Sequence, residues 1–490
     1  MATMEAEASG LWDRFKRLVG GSSRSVEFVD LARGEMFILN RQIQVPFNGV
    51  PIELTMGKPG KKLLIYPDPS LDTGLNTSTN RLIIIDPNQF FYRISGFLTL
   101  NPNESILLGA GQKAQQSMFQ YPGEVSARHL SISYSGGVLT FRDFHTGCGT
   151  TIRLLREHDE INRLLNFRLD SLYRIREIFG GPIKLFPRVE ALTLLEEVNA
   201  ILAHEKYRRL NDQGKPGGLM VLPDYLTPIF IGDLHTKIDN LLKVLSENSF
   251  LEALEEDKAC LVIMGDAVHS EVDGQLEEMG SSLLIMDFIF QLKVRFPHNV
   301  FYLRGNHDSF SPEIHKSGVS QGMLWEKTVR FKRGAEYKEQ MDLFYQQLPV
   351  VVMGQDFIAC HAAPPMQRVK KDDLVNLYEH PRLLKELTWY RIKRNNSHVG
   401  YAAKHVRQFR QSLSISSKAI LIVAHNPLSR ETDTHSYWLH AEDIPNHHIL
   451  FSGLCSRVAV MTRIHGKIRP LEFPMEPLVE FINKLPERAR

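Results

Sequence analysis

The stretch Thr227-Pro-Ile-Phe-Ile-Gly-Asp-Leu-His235 joins a predicted strand to two candidate metal ligands. Its apolar run, residues 228–231, is typical of a short buried strand. Residues two apart at a strand end point the same way, so we expect Asp233 and His235 to converge on one point. A carboxylate and an imidazole are suitable ligands for a divalent metal ion. The stretch therefore predicts a metal site at the carboxyl end of a strand.

Four further motifs repeat this design downstream. Each places Asp, Asn or His directly after an apolar run: Gly265-Asp266, Gly305-Asn-His307, Cys360-His361 and Ala424-His-Asn426. One such residue is more often a structural polar group than a ligand, whereas five in order indicate one shared site. Strands and helices alternate from Leu219 onward, which predicts an α/β domain with its ligands at strand ends. The apolar spacing predicts helices over residues 158–178, 187–210, 239–254 and 273–296.

The composition is that of an ordinary globular protein. Of its 490 residues 43% are hydrophobic and 23% are charged, and the formal net charge is +2. This length predicts two or three domains. No dense basic stripe is present, so we expect no nucleic-acid partner. The four cysteines lack paired spacing, which suits a reducing compartment.

The start of the chain does not have the pattern of a signal peptide. The acidic start lacks the apolar run of a signal peptide, and no apolar stretch reaches the roughly 18 residues that span a bilayer. We therefore expect no transmembrane segment and a cytoplasmic location. Residues 1–22 form a predicted amphipathic N-terminal helix. It is either a membrane-surface or partner-binding helix or, as we favour, a terminal helix packed on its own domain.

The N-terminal third has short β-like runs separated by turns, which predicts an all-β sandwich. Its motifs Ser126-Ala-Arg-His129 and Gly149-Thr150 resemble those of forkhead-associated (FHA) domains, a family that binds phosphothreonine peptides. Ala110 stands where that family has its phosphate-binding Arg, and Cys148 stands where it has the Asn that holds the peptide. Without the guanidinium, the charge-assisted bidentate hold on phosphate is lost. The resemblance thus implies an FHA-like sandwich that positions its neighbour or a protein partner.

The five ligand motifs together resemble the calcineurin-like metallophosphoesterases, and most of all their phosphoprotein phosphatase (PPP) branch. That branch has Gly-Asp-x-His, Gly-Asp-x-Val-Asp-Arg-Gly, Gly-Asn-His-Glu, a His before Gly-Gly, and a later Ala-His. The similarity covers roughly residues 187–471 and implies an α/β (α+β) metallophosphoesterase β-sandwich flanked by helices. The expected order is the helix at 1–22, an FHA-like sandwich at 23–155, a helical linker at 156–186, the catalytic domain at 187–475 and a tail at 476–490.

The resemblance also implies a cofactor of two divalent metal ions, with Mn as first choice and Fe or Zn as alternatives. The implied ligands are Asp233 and His235 for one ion, Asp266 between both, and Asn306, His361 and His425 for the second. Two ions about 3.5–4 Å apart activate a bridging hydroxide and stabilise the attacking and leaving oxygens at phosphorus.

Proton transfer and phosphate binding are assigned by the same resemblance. His307 matches the general acid of the family, which protonates the leaving group. Arg304 matches the Arg of its Arg-Gly-Asn-His motif. Trp389-Tyr-Arg391 resembles the Trp-x-Arg of bacterial members, so Arg391 is the first candidate to bind substrate phosphate. Arg394, like Lys393, is an alternative or belongs to a solvated basic face.

The second motif differs from the sequence pattern of the PPP branch. In Gly265-Asp-Ala-Val-His-Ser-Glu271, His269 and Ser270 stand where the branch has Asp and Arg. The missing Asp pairs with the general acid, so His269 or Asp308 must orient His307 instead. The missing Arg binds the phosphoryl group. An insertion over residues 309–347 is expected to supply substrate-recognising surface.

Three functions remain open on this basis. The first is a metal-dependent phosphomonoesterase that hydrolyses phosphoserine, phosphothreonine or phosphotyrosine in phosphoproteins. The second is a hydrolase of small phosphoesters or nucleotides, and the third is a non-catalytic binding or adaptor protein. The complete set of ligand positions favours the first. Similarity of fold supports a prediction of the reaction class more strongly than a prediction of the substrate.

Overall fold

The structure is a computed structural model of the 490-residue chain. It describes residues 27–28, 34–47, 51–58, 60–68, 81–90, 93–111, 118–144, 146–155, 159–394, 400–428 and 435–488. The helix predicted over 1–22 lies outside these residues. The chain divides into two compact units. Unit 1 comprises Met1–Pro67, Asn80–Ile84 and Thr99–Glu157, and unit 2 comprises Asp68–Thr79, Ile85–Leu98 and His158–Arg490.

The N-terminal third is built from two mainly antiparallel sheets, in which β1 pairs with β3 in parallel. Its strands are β1 Glu27–Phe28, β2 Met36–Leu39, β3 Gln42–Pro46, β4 Ile52–Met56, β5 Lys61–Pro67, β6 Leu82–Ile85, β7 Phe97–Leu100, β8 Glu104–Leu108, β9 Leu130–Ser135, β10 Val138–Asp143 and β11 Thr150–Leu154. They form a five-stranded sheet, β1-β3-β10-β9-β8, and a six-stranded sheet, β2-β11-β4-β5-β6-β7, with one short helix, α1 Pro87–Phe90. The β9–β10 hairpin turns through Gly136 and Gly137, both at positive φ, as a two-residue turn requires.

The prediction of β-structure in this region is confirmed, and the FHA-like assignment stays a prediction. Two residues of the quoted motifs do meet, because Nε2 of the buried His129 lies 3.0 Å from Oγ1 of Thr150. That contact stabilises the strand ends. It does not supply the phosphate-binding cation that the motifs lack.

Unit 2 contains the remaining strands and helices. Its strands are β12 Arg208–Leu210, β13 Pro216–Val221, β14 Thr227–Ile231, β15 Ala259–Ile263, β16 Val300–Tyr302, β17 Val351–Met353, β18 Phe357–Cys360, β19 Ile420–Val423, β20 Tyr437–Trp438, β21 His447–Leu450, β22 Arg457–Ile464 and β23 Lys467–Pro474. Its helices are α2 Asp159–Phe179, α3 Arg188–Ala203, α4 Ile238–Leu245, α5 Phe250–Glu255, α6 Gly280–Arg295, α7 Gln321–Arg333, α8 Ala335–Gln347, α9 Lys371–Val375, α10 Pro381–Trp389, α11 Ala403–Ser412 and α12 Leu478–Lys484.

Two sheets of unit 2 share one hydrophobic core. The five-stranded sheet runs β16-β15-β14-β22-β23 and the seven-stranded sheet runs β12-β13-β17-β18-β19-β21-β20. Buried side chains of both sheets form a single cluster, in which Phe230 and Phe357 pack edge to face at 5.0 Å. Strands β14, β15 and β16 are parallel, as are β18 and β19. Their continuous apolar runs are typical of parallel strands buried on both faces.

The helix predicted over 187–210 is wrong at its carboxyl end. The helix stops at Ala203, and Arg208–Leu210 pairs with β13. Arg208 explains the change, because its buried guanidinium binds the carboxylate of Glu205 and donates to the carbonyl oxygen of Gly217. A buried guanidinium needs such partners, and the strand supplies them.

Two other predicted helices are shorter than expected. The one predicted over 273–296 begins at Gly280, where the Glu278 carboxylate accepts the backbone N–H of Gly280 and Ser281. The one predicted over 239–254 is divided, because Asn248 and Ser249 have φ of 52° and 57°. In both cases the apolar spacing continues through the break and does not predict it.

The segments predicted as linker and tail contain helices that pack within unit 2. The first is α2, which agrees with the helix predicted over 158–178. Its buried Arg168 forms ion pairs with Glu247 and Glu476. Helix α12 buries Leu478 and Ile482. Among the described residues, no helix has the length and hydropathy needed to cross a membrane.

Candidate metal centre and active site

The predicted ligands lie at the carboxyl ends of five strands. Asp233, Asp266 and Asn306 follow β14, β15 and β16 of one sheet, and His361 and His425 follow β18 and β19 of the other. Backbone bonds tie these ends together. The His235 N–H donates to the Asp266 carbonyl oxygen (3.0 Å), and the Ala424 N–H donates to the His361 carbonyl oxygen (2.8 Å). The sandwich thus brings distant parts of the sequence to one edge.

A close backbone approach explains one of the glycines beside these ligands. A Cβ atom at Gly305 would lie 2.1 Å from Oδ1 of Asp266. That oxygen instead accepts the backbone N–H of His307 (2.8 Å). Glycine is therefore required for the third motif to close over the carboxylate of the second.

Two groups of side chains have the spacing of metal ligands. The ligand atoms of Asp233, His235 and Asp266 all lie within 4.8 Å of one another, as do those of Asp266, His361 and His425. Asp266 belongs to both groups. Nε2 of His361 lies 3.2 Å from Oδ2 of Asp266 and 3.0 Å from Oδ1 of Asn306. All six predicted ligands are buried, and the structure brings them together.

Each of the three imidazoles has one nitrogen occupied by a backbone carbonyl. Nδ1 of His361 bonds to the Met264 oxygen (2.8 Å), and Nδ1 of His235 bonds to the His269 oxygen (3.0 Å). Nε2 of His425 bonds to the Trp389 oxygen (3.2 Å). A carbonyl accepts only a protonated nitrogen, so these contacts leave the opposite ring nitrogen of each imidazole as the one that could coordinate a metal ion once it is deprotonated.

The electrostatics of the cluster fit a bound cation. Burial raises the pKa of Asp233 to about 7. Burial opposes the ionisation of Asp266 too, but the nearby imidazoles of His361 and His307 hold its pKa well below the usual range. Burial also opposes the charge of His361, yet Asp266 and Asp233 raise its pKa to about 9. Positive charge is thus needed at this point, and the mixed donor set suits Mn, Fe or Zn.

His269, and not Asp308, contacts the predicted general acid. Nδ1 of His269 lies 2.9 Å from Nδ1 of His307. Asp308 faces away: its carboxylate accepts the N–H of Gly305 (2.7 Å) and the hydroxyl of Tyr302 (2.7 Å). Burial lowers the pKa of both imidazoles, to about 4 for His307. The pair is therefore a neutral dyad, and Asp308 supports the loop that carries Asn306.

The predicted phosphate-binding arginines occupy different surroundings. Arg304 lines a pocket of about 120 Å³ beside Asn306 and lies over the ring of Tyr378, 5.8 Å from its centroid. Arg391 donates to the carbonyl oxygen of the ligand residue His425 (2.9 Å). Arg394 is exposed and donates to the Pro427 oxygen (2.8 Å). Arg304 and Arg391 therefore lie beside ligand residues, whereas Arg394 is bonded to Pro427, which is not a ligand.

Three residues of the insertion each contact one residue of the second motif, at positions 269–271. The sequence did not predict these contacts. The pairs are His269 with Trp325 (rings 6.2 Å apart, perpendicular), the carbonyl of Ser270 with Nε2 of Gln321 (2.8 Å), and Glu271 with Lys316 (3.0 Å). The one available signal was that both the substitutions and the insertion depart from the same family pattern. The insertion thus holds the loop whose residues changed.

Comparisons with known proteins identify the domain that contains these residues. Residues 226–453 match the family model described as calcineurin-like phosphoesterase. No curated protein matches the chain. Among solved structures it is similar to a protein serine/threonine phosphatase from Saccharomyces cerevisiae with similarity to human phosphatase PP5. That likeness has 15% identity and a TM-score of 0.44, over 59% of this chain and 90% of that one.

The chain is also similar to the cold-active protein-tyrosine phosphatase of a psychrophile, Shewanella sp., at 12% identity and a TM-score of 0.37, over 52% of this chain and 82% of that one. Likenesses this distant support no conclusion by themselves, so the assignment rests on the family match and on the residues that lie inside it. The protein therefore contains a calcineurin-like phosphoesterase domain, over residues 226–453, and is a hydrolase.

Proposed function

We propose that the protein is a metal-dependent phosphomonoesterase of PPP type that removes phosphate from phosphoproteins. The observation that carries this proposal is the common orientation of the three ligand imidazoles, each held by a backbone carbonyl. Such outer-shell contacts are typical of metal-binding histidines. A purely structural cluster would have no need to place a second nitrogen of three imidazoles beside two carboxylates.

In this proposal, different residues of the chain bind the metal ions and the substrate phosphate. Asp233 and His235 would hold one cation, Asn306, His361 and His425 a second, and Asp266 both. When bound, the two cations would supply positive charge to the phosphoryl group and lower the pKa of the attacking water. The arginines that adjoin the ligands, Arg304 and Arg391, would bind the phosphoryl oxygens.

The His269–His307 contact supports a role for His307 at the leaving group. One of the two facing Nδ1 atoms must carry hydrogen for the bond to form. If His269 donates, Nε2 of His307 carries the hydrogen and can donate a hydrogen bond that stabilises charge on the leaving oxygen, which solvent water then protonates. His269 is then a positioning residue, since it acts through His307.

The His269–His307 dyad also affects which phosphorylated residue the enzyme would prefer as substrate. An imidazole, unlike the carboxylate of the family, adds no negative charge that would stabilise a protonated His307. A phenoxide leaves with less need of a proton than an alkoxide. We therefore expect phosphotyrosine to be hydrolysed faster than phosphoserine or phosphothreonine.

In the same proposal unit 1 is an FHA-like module that positions the enzyme or a protein partner, in the cytoplasm. It carries no part of the proposed chemistry. The ligands and the candidate acid all lie in unit 2. Removing a partner of unit 1 would therefore change where the enzyme acts and leave its turnover of small esters unchanged.

The test is Mn²⁺-dependent hydrolysis of p-nitrophenyl phosphate by the full chain, beside phosphotyrosine, phosphothreonine and phosphoserine peptides. We expect turnover that a chelator abolishes and Mn²⁺ restores, with peptides preferred and phosphotyrosine the fastest. Turnover of p-nitrophenyl phosphate or nucleotides alone would replace this proposal with a small-molecule phosphoesterase. Metal binding without turnover of any ester would favour a non-catalytic binding protein.

A further inference from the structure

The loss of the family's phosphate-binding Arg leaves a gap that Ser270 does not fill. Ser270 is buried, and its hydroxyl accepts the backbone N–H of Val272 (3.2 Å). A hydroxyl so placed supplies no positive charge. The next residue, Glu271, is a carboxylate whose Oε1 lies 3.8 Å from Nε2 of His235, the nitrogen that is left to coordinate metal. The loop therefore presents negative charge where the family presents positive charge.

One cation of the insertion reaches this carboxylate. Nζ of Lys316 lies 3.0 Å from Oε1 of Glu271 and donates to its carbonyl oxygen (3.3 Å). A single carboxylate oxygen thus separates the ammonium from the imidazole of His235. The ammonium therefore acts electrostatically on the metal-binding edge.

The backbone fixes the position of this lysine. Lys316 and Val319 exchange two hydrogen bonds, of 3.0 and 2.9 Å, across a two-residue turn. Ser317 and Gly318 within the turn have φ of 48° and 83°, as a tight hairpin turn requires. The turn therefore fixes the backbone of Lys316, and the contacts with Glu271 hold its ammonium group.

We propose that Lys316 binds the phosphoryl group of the substrate in place of the arginine that Ser270 replaces. The proposal rests on the proposed phosphoesterase function and names a further residue of that site. Glu271 holds the ammonium when no anion is bound. The exposed fraction is 24% for the Lys316 side chain and 27% for the Glu271 side chain, so solvent weakens the pair and a phosphate dianion can compete for it.

The experiment measures binding of inorganic phosphate to the Mn²⁺-loaded full chain by calorimetry, with bound manganese measured in parallel. The variants are Lys316→Gln, Lys316→Arg and Glu271→Gln, and the control is Lys327→Gln, an exposed lysine of the same insertion. We expect Lys316→Gln to raise the Kd for phosphate about 10- to 100-fold, the range for one hydrogen bond to a charged group. Lys316→Arg should restore binding, and Lys327→Gln should leave it unchanged.

The Glu271→Gln variant separates this proposal from a structural ion pair. Binding of phosphate should become tighter when the competing carboxylate is removed, which is opposite to the effect of Lys316→Gln. Equal weakening by both variants, unchanged binding in Lys316→Gln, or a loss of manganese would overturn the proposal.

Failure of the proposed phosphatase function can be distinguished from failure of the proposal for Lys316. A wild type whose phosphate binding depends on Lys316 but which hydrolyses no ester would retain this lysine's role and refute the phosphatase. A wild type that turns over normally, with phosphate binding unaltered by Lys316→Gln, would refute the lysine alone. A wild type that binds no phosphate would overturn the role of Lys316.

Discussion

The two sides of the candidate site are held in different ways. On the ligand side, side chains at strand ends are bonded to the backbone of neighbouring strands, as His361 is to Met264. On the proton-transfer side, the loop through His269 and Glu271 is held by helix α7 and by the hairpin before it. The first arrangement leaves little room for substitution. The second contains His269 and Ser270, which depart from the family pattern, and it is held by the residues of the insertion that contact them.

The largest expected effect tests the ligand side. Asp266→Asn keeps an oxygen that accepts the His307 amide and removes the charge shared by both ligand groups. We expect turnover to fall by about 10³-fold or more, beyond the 10- to 100-fold typical of losing an outer-shell contact. The measurements are the rate with p-nitrophenyl phosphate and the manganese content.

Asp257→Asn is the matched control, because Asp257 is exposed on a turn of the same unit. Its rate and metal content should equal those of the wild type. If Asp266→Asn retained the wild-type rate, the assignment of Asp266 as a shared ligand would be wrong.

The ligand side could be predicted from the sequence because its geometry is local. An apolar run followed by Asp, Asn or His is sufficient to place a side chain at a strand end, and parallel strands bring such ends to one edge. The structure accordingly brings Asp233, Asp266 and His425 together. The tautomer of each imidazole was not predictable, because the carbonyls that decide it come from distant residues such as Trp389.

The next prediction concerns the dyad. His269→Leu keeps much of the side-chain volume and removes the hydrogen bond to His307, so the acid loses its orientation. We expect kcat for an alkyl phosphate to fall on the order of 10- to 100-fold, less than the 10²- to 10⁴-fold range for general acid–base catalysis as a whole. The rate with p-nitrophenyl phosphate should change little, because its leaving group needs less protonation.

His269→Asp provides the rescue test, since it restores the residue of the protein phosphatases. It should recover the alkyl phosphate rate and raise hydrolysis of phosphoserine relative to phosphotyrosine. An equal loss with both leaving groups in His269→Leu would mean that His269 only fills space, and would exclude the positioning role.

The proton-transfer side could not be predicted to the same degree. Sequence comparison identified the changed residues His269 and Ser270 and the insertion separately. It did not show that Trp325, Gln321 and Lys316 contact successive residues of the loop, because helix packing depends on side chains far apart in sequence. The start of the helix predicted over 273–296 was wrong for a different reason, since the Glu278 cap is a local polar contact that apolar spacing does not encode.

The smallest expected effect tests whether the insertion holds the dyad. Trp325 is fully buried, packs against His269, and donates its indole N–H to the hydroxyl of Tyr345 (3.0 Å). Trp325→Phe keeps an aromatic ring and leaves that hydroxyl without its donor. We expect the free energy of unfolding to fall by about 1–3 kcal/mol, the cost of an unsatisfied buried group. The ratio of alkyl to p-nitrophenyl phosphate turnover should fall a few-fold, while manganese content stays constant.

Trp438→Phe, on β20 outside the insertion, is the control and should leave this ratio unchanged. If Trp325→Phe lowered stability but left the ratio as in the wild type, the insertion would stabilise the fold without orienting the acid, and the two sides of the site would be independent.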